Sequence, residues 1–228
     1  NFTGFNYESL KEIALEKTFS AFPLRGLTLS SEIHNKVRYL QSHNIAAVKK
    51  GSIQPDEYIL FMAHWDHLGL MEGAQMGDDK IANGAVDNAT GVAAVFEFAK
   101  RFSEIETDRS IMFLAVTLEE SGLLGSEYFA KYPPIDLSNI VAGFNYDAIL
   151  PTGLTNDMVV VGYGASELED LLEDELSKSG RYINPDPNPD KGYFYRSDHI
   201  SFAKRGVPVL YADGGFDLVD GGKEAGFV

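Results

Sequence analysis

Four short apolar runs limit the folds open to this chain: YILFMA at 58–63, SIMFLAVT at 110–117, IVAGFNY at 140–146 and VPVLYA at 207–212. None alternates polar with apolar residues, so each predicts a strand buried on both faces. Such strands need a covering layer on each side. The intervening sequence supplies it, with helical spacing of apolar residues over 86–102, 122–132, 166–178 and 198–204. Strands alternating with helices predict an α/β fold with a mostly parallel, mixed central sheet flanked by helices on both faces. A helix over 7–17, one or two strands within 27–47 and a further strand over 158–161 complete the reading. Residues 181–192 hold three prolines without periodicity and predict a rigid loop.

In a parallel sheet, ligands bind beyond the carboxyl ends of the strands. Four segments here follow a predicted strand or open the next helix, and each carries acidic residues or histidine. They are AHWDHLG at 63–69, GAVDNATG at 84–91, LEESG at 118–122 and NYD at 145–147. The topology brings Asp66, Asp87, Glu119, Glu120 and Asp147 to one edge with His64. Five carboxylates sharing a small volume repel one another unless cations compensate. Each residue alone has an ordinary structural role open to it: His64 as a hydrogen-bonded core histidine, Asp87 as a helix N-cap, Glu119–Glu120 as a solvated turn. Their recurrence at successive strand ends favours a metal site. Oxygen and imidazole donors without sulfur suit zinc, manganese or cobalt. Of the two adjacent glutamates, one can bind metal while the other takes a proton from water.

Composition narrows the function. With 34 acidic and 19 basic residues the net charge is -15, which would repel a phosphate backbone and argues against nucleic acid. The acidity serves solubility, or clustered carboxylates that hold cations. The chain has no cysteine, which removes disulfides, thiolate metal sites and cysteine nucleophiles but leaves the compartment open. No run approaches the ~20 apolar residues of a membrane span, and no signal-peptide pattern is visible. Asn1 is not a natural start residue, which points to a trimmed N-terminus.

AHWDHLG, GAVDNATG, EESGLLGS and NYD, in this order and spread over residues 42–216, resemble the zinc aminopeptidases of peptidase family M28. The resemblance is greatest to exported bacterial members with an inserted protease-associated domain, which this chain lacks. It implies a zinc-exopeptidase-like, three-layer catalytic domain over the whole chain, trimmed at both ends, and a periplasmic or secreted location. Its substrates would be peptides with a free N-terminus. It also implies roles. His64 and Asp147 would hold one zinc ion, Glu120 the other, and Asp87 would bridge them. Glu119 would be the general base, and Asp66 would orient His64 through its second ring nitrogen. Arg196, Asp198 and Tyr195 would contact substrate, with Tyr193 or Tyr195 assisting the oxyanion. The family's fifth ligand is a histidine in a Tyr-His segment after the strand matching VPVLYADGG, and no such pair occurs before Val228. His199 does not occupy that position and is not assigned as a ligand. The second zinc site, left with Glu120 and the shared Asp87, is therefore expected to be weak. Two other functions stay open. One is a one-zinc glutaminyl cyclase, against which AHWDHLG and GLLGS speak. The other is a non-catalytic binding module, against which the retained ligands and base speak.

Overall fold

The computed structural model describes residues 6–23, 26, 28–71, 79–149 and 153–226. The chain divides into two units, Asn1–Leu40 and Gln41–Val228. In the first, helix α1 (Tyr7–Ala14) is capped by Asn6, whose side chain accepts from Ser9 N at 2.7 Å. The strands expected within 27–47 reduce to the beginning of one, since the described residues 28–44 carry no helix or strand and β1 spans Ile45–Lys49.

The second unit is built on a seven-stranded sheet. Its elements in chain order are β1, β2 (Gln54–His64), β3 (Gly69–Leu70), β4 (Ile81–Ala82), α2 (Ala89–Ser103), β5 (Arg109–Val116), α3 (Leu124–Lys131), β6 (Ile140–Asn145), β7 (Asp157–Val160), α4 (Leu168–Lys178), β8 (Tyr182–Pro185), α5 (His199–Ala203), β9 (Val209–Gly214) and α6 (Gly222–Gly226). The sheet order is β1-β5-β2-β6-β9-β7-β8, with β3 and β4 forming a separate small pair. The pairs β5–β2, β2–β6, β6–β9 and β7–β8 are parallel, while β1–β5 and β9–β7 are antiparallel. The mixed, mostly parallel sheet read from the sequence is the one observed. The proline-rich stretch contains a strand as well as a loop. β8 forms there because it lies at the sheet edge, and Pro185 ends it where a missing N–H costs no ladder bond.

Alternation along β2 divides the core. Leu60 and Met62 pack with Met112, Leu114, Val116, Phe129 of α3 and Phe202 of α5 on one face. Phe61 and Ala63 pack with Ile111, Phe113 and Val95 of α2 on the other. Phe61 sits among Phe98, Phe144, Phe102 and Phe113, at ring distances of 4.9, 5.3, 5.5 and 6.0 Å. Burying each such side chain contributes about 1.5–3 kcal/mol. The adjacent parallel strands β2 and β5 therefore send their outgoing loops to opposite faces, β2 to α2 and β5 to α3. A crevice opens between loops that diverge in this way, at the carboxyl ends of the strands. Among the described residues no helix is long and apolar enough to cross a membrane.

Candidate metal centre

The crevice is lined by the residues the sequence singles out. His64 is the last residue of β2 and almost completely buried. Its Nδ1 lies 3.1 Å from the backbone carbonyl of Asp66. A carbonyl only accepts, so Nδ1 donates to it, and Nε2 is the atom turned into the crevice. That atom faces Asp87 Oδ1 at 3.0 Å and Asp147 Oδ1 at 3.1 Å. Asp66 thus meets His64 through its backbone carbonyl and not through its carboxylate. Its carboxylate is 3.9 Å from the ring nitrogen and instead accepts from the backbone N–H groups of Glu119 (3.1 Å) and Glu120 (3.4 Å).

Asp87 is not the helix cap. Asn88 is, accepting from Gly91 N at 3.0 Å, and this frees the Asp87 carboxylate. The same Asn88 oxygen accepts from Ala148 N, and its amide donates to Tyr146 O at 2.9 Å. The start of α2 is thereby tied to the loop after β6, which fixes Asp87 relative to Asp147. The Asp87–Asn88 peptide is cis. Asp147 is held from its other side by Ser197, whose hydroxyl donates to Oδ2 at 2.5 Å and accepts from Asn145 Nδ2 at 2.7 Å.

After β5 the chain turns through Leu118 in the left-handed region, at φ 57, an uncommon conformation for a non-glycine residue. Glu119 and Glu120 follow. Glu120 Oε1 is 2.5 Å from Nδ1 of His67, a residue to which the sequence reading gave no role. Its signal was available: a second histidine, one residue after Asp66, in the loop leaving β2. Ser197 gave no such signal, because it lies 50 residues from Asp147 in sequence.

Two donor sets result, His64–Asp87–Asp147 and His67–Asp87–Glu120, each with ligand atoms within 4.8 Å of one another. Asp87 belongs to both. His67 Nδ1, Asp87 Oδ1 and Glu120 Oε1 are buried without a hydrogen bond. Buried acceptors that converge unsatisfied fit cations, and mixed imidazole and carboxylate donors suit zinc. The second set therefore contains three protein donors, where the sequence reading counted two. The electrostatics agree. Burial alone would lower His64, yet the hydrogen bond and charge of Asp147, with Glu119 and Asp198, push it up to about 9. Burial pushes Glu119 up to about 8, against the opposing pull of His64. For Asp147, the bonds from His64 and Ser197 outweigh burial and hold the carboxyl below its usual range.

The residues assigned to substrate contact divide. Arg196 and Tyr195 are exposed, on and just after a short 3-10 turn, with the Arg196 guanidinium 5.5 Å from the Tyr193 ring centre. Asp198 has no exposed surface. It presents nothing to a substrate, and burial pushes it up to about 7. His199, also fully buried, begins α5 between the rings of Phe194 (4.9 Å) and Tyr211 (5.0 Å), and burial pushes it down to about 4. It is in neither donor set.

Comparison with known proteins follows the same lines. The family description "Peptidase family M28" matches residues 44–224. A "probable zinc metalloprotease" of Pyrenophora tritici-repentis is 37% identical over 105 residues, 46% of this chain and 24% of its own length. The solved aminopeptidase from Aneurinibacillus sp. strain AM-1 superposes with a TM-score of 0.59 at 26% identity, covering 76% of this chain and 39% of the other. A Porphyromonas gingivalis glutaminyl cyclase shares the fold, with a TM-score of 0.54 at 19% identity over 74% of this chain and 62% of its own. The chain thus spans about a quarter or less of the length of the curated relatives first matched.

Proposed function

The chain belongs to peptidase family M28, and from that premise we propose that it is the catalytic core of a two-zinc aminopeptidase that hydrolyses the N-terminal peptide bond of peptides. One observation carries the reading: the two donor sets meet at Asp87, with Glu119 close enough to His64, Asp147 and Glu120 to feel all three charges. His64 and Asp147 would hold one ion and Glu120 the other, with Asp87, common to both donor sets, serving each. Bound there, zinc would polarise the scissile carbonyl and make a water acidic enough to attack it at neutral pH.

The chain's own residues supply the rest. Glu119 takes a proton from the attacking water and returns it to the leaving amine. Its backbone N–H is held by Asp66, which anchors the point from which the carboxylate reaches the reacting atoms. Ser197 and the Asp66 carbonyl hold Asp147 and His64 against rotation. Arg196 and Tyr195 stand on the exposed segment before Ser197, where they can meet the substrate beyond the cleaved bond. The exported members the sequence resembles support a periplasmic or secreted location.

A panel of substrates tests the reading on the zinc-loaded chain: a leucine anilide, the same compound with its amine acetylated, and a peptide with N-terminal glutamine. The expectation is hydrolysis of the free-amine anilide alone. Cyclisation of the glutamine peptide without anilide hydrolysis would replace the aminopeptidase reading with the cyclase one. Equal cleavage of the acetylated compound would remove the N-terminal requirement.

A further inference from the structure

We infer that Asp213 sets substrate preference, favouring peptides whose N-terminal residue has a cationic side chain, lysine or arginine, which it receives in a cavity beside the catalytic crevice; the inference rests on the aminopeptidase reading above. Strand pairing places the cavity. β9 runs parallel to β6, with Tyr211 opposite Asn145. Asp147 and Asp213 each lie two residues beyond that pair, at the carboxyl ends of neighbouring strands. Alternation along β9 puts Tyr211 and Asp213 on one face, and β7 brings Val159, paired with Asp213, to the same face. With Val161, and with Asp186 and Tyr193 from the segment after β8, they line a cavity of about 230 Å³. That is large beside the ~30 Å³ that one water takes up, and enough for one long side chain. The Tyr211 ring is 5.0 Å from that of His199, two residues after Ser197, whose hydroxyl holds Asp147. The cavity therefore adjoins the metal centre, within reach of the first side chain of a peptide whose first bond lies at the metals.

The lining fits an apolar stem that ends in a positive charge. Val159, Val161 and the rings of Tyr193 and Tyr211 supply apolar surface, and aromatic faces attract cations. Asp213 supplies the opposite charge. Its Oδ1 accepts from Gly214 N at 2.7 Å, and among the described residues it has no ion-pair partner. Asp186, whose Oδ1 accepts from Asn188 N at 2.8 Å, has none there either. Lys191 and Arg196 lie over the Tyr193 ring instead, at 6.0 and 5.5 Å from its centre. Burial, with the charge of Asp147, pushes Asp213 up to about 6. The negative charge is thus held at a cost that a bound cation offsets. A leucine side chain would cover the carboxylate without pairing it, and a glutamate would be repelled. The net charge of -15 also favours encounter with cationic substrates.

Anilides of arginine, citrulline and leucine, each with a free amine, provide the test on the zinc-loaded full chain, in weakly alkaline buffer where Asp213 is ionised. Citrulline keeps the shape of arginine and loses its charge, so this comparison needs no variant. The expectation is a kcat/KM for arginine about 10–100-fold above those for citrulline and leucine, the range that a hydrogen bond to a charged group supports. Asp213→Asn, which keeps the outline of the side chain, should bring arginine and citrulline close to parity. Arginine no better than citrulline, or leucine preferred to both, would overturn the inference and leave the aminopeptidase reading standing. An arginine preference that persists undiminished in Asp213→Asn would also overturn it, by taking the selection away from Asp213. Failure to cleave any of the three would overturn the aminopeptidase reading and this inference with it. If Asp213→Asn fails to fold, the comparison of arginine with citrulline decides alone.

Discussion

Replacing Asp66 with alanine separates two roles that the sequence merges. Its backbone carbonyl holds His64 at 3.1 Å and survives the substitution. Its carboxylate, which is lost, accepts from Glu119 N at 3.1 Å and Glu120 N at 3.4 Å. A hydrogen bond to a charged group contributes about 1.5–3 kcal/mol, and a long one falls at or below the low end. With the side chain 13% exposed, the pair together contributes about 2–3 kcal/mol. If that energy positions the general base, its loss lowers kcat/KM by about 30- to 150-fold, at 1.36 kcal/mol per tenfold. The first zinc ion should be weakened by about tenfold at most, because what it loses is one partly solvated charge nearby and not a ligand. Anilide kinetics at saturating zinc, beside a zinc titration and with His64→Ala as reference, measure both. The reasoning is refuted if Asp66→Ala loses the first ion as fully as His64→Ala, or if its turnover at saturating zinc is unchanged.

Two further perturbations probe the scaffold. Ser197→Ala leaves the buried Asn145 amide and Asp147 Oδ2 without their shared partner, so urea unfolding should show a loss of about 2–3 kcal/mol and zinc titration a first site about 10–100-fold weaker; a change under threefold in affinity would show that Asp147 is held by other means. Phe61→Ala empties the centre of the aromatic cluster between β2 and α2 and should destabilise by about 3–5 kcal/mol, read as a lowered thermal midpoint, whereas a loss below about 1 kcal/mol would mean the cluster collapses into the space.

The parts of the fold that the sequence revealed are the parts buried on both faces. β2, β5, β6 and β9 read clearly because their apolar runs answer to two layers at once, and α2 because one stripe answers to Phe61 and Phe113. β8 was hidden because an edge strand is constrained on one side only and tolerates Pro185. The stretch before β1 alternates loosely and is mostly exposed, so no packing enforces a strand there. In the site, convergence of His64, Asp87, Glu120 and Asp147 was legible from strand ends. What was not legible depends on which atom of a residue is used. Asp66 serves His64 with its carbonyl, and Asn88 takes over the cap that would have occupied Asp87. His67 was passed over although it stands three residues beyond His64, and the structure sets its ring against Glu120.

The central claim, that Glu119 moves the proton while its neighbour Glu120 holds metal, meets its most direct test in Glu119→Gln. The amide keeps the shape and backbone bond of the glutamate but cannot take a proton from water. Metal content by mass spectrometry and leucine-anilide turnover are measured on the same preparation. The account predicts zinc content equal to that of the unmutated chain, with turnover lowered by about 10²–10⁴-fold. Turnover within tenfold of the unmutated chain, or loss of zinc in Glu119→Gln but not in Glu120→Gln, would contradict it.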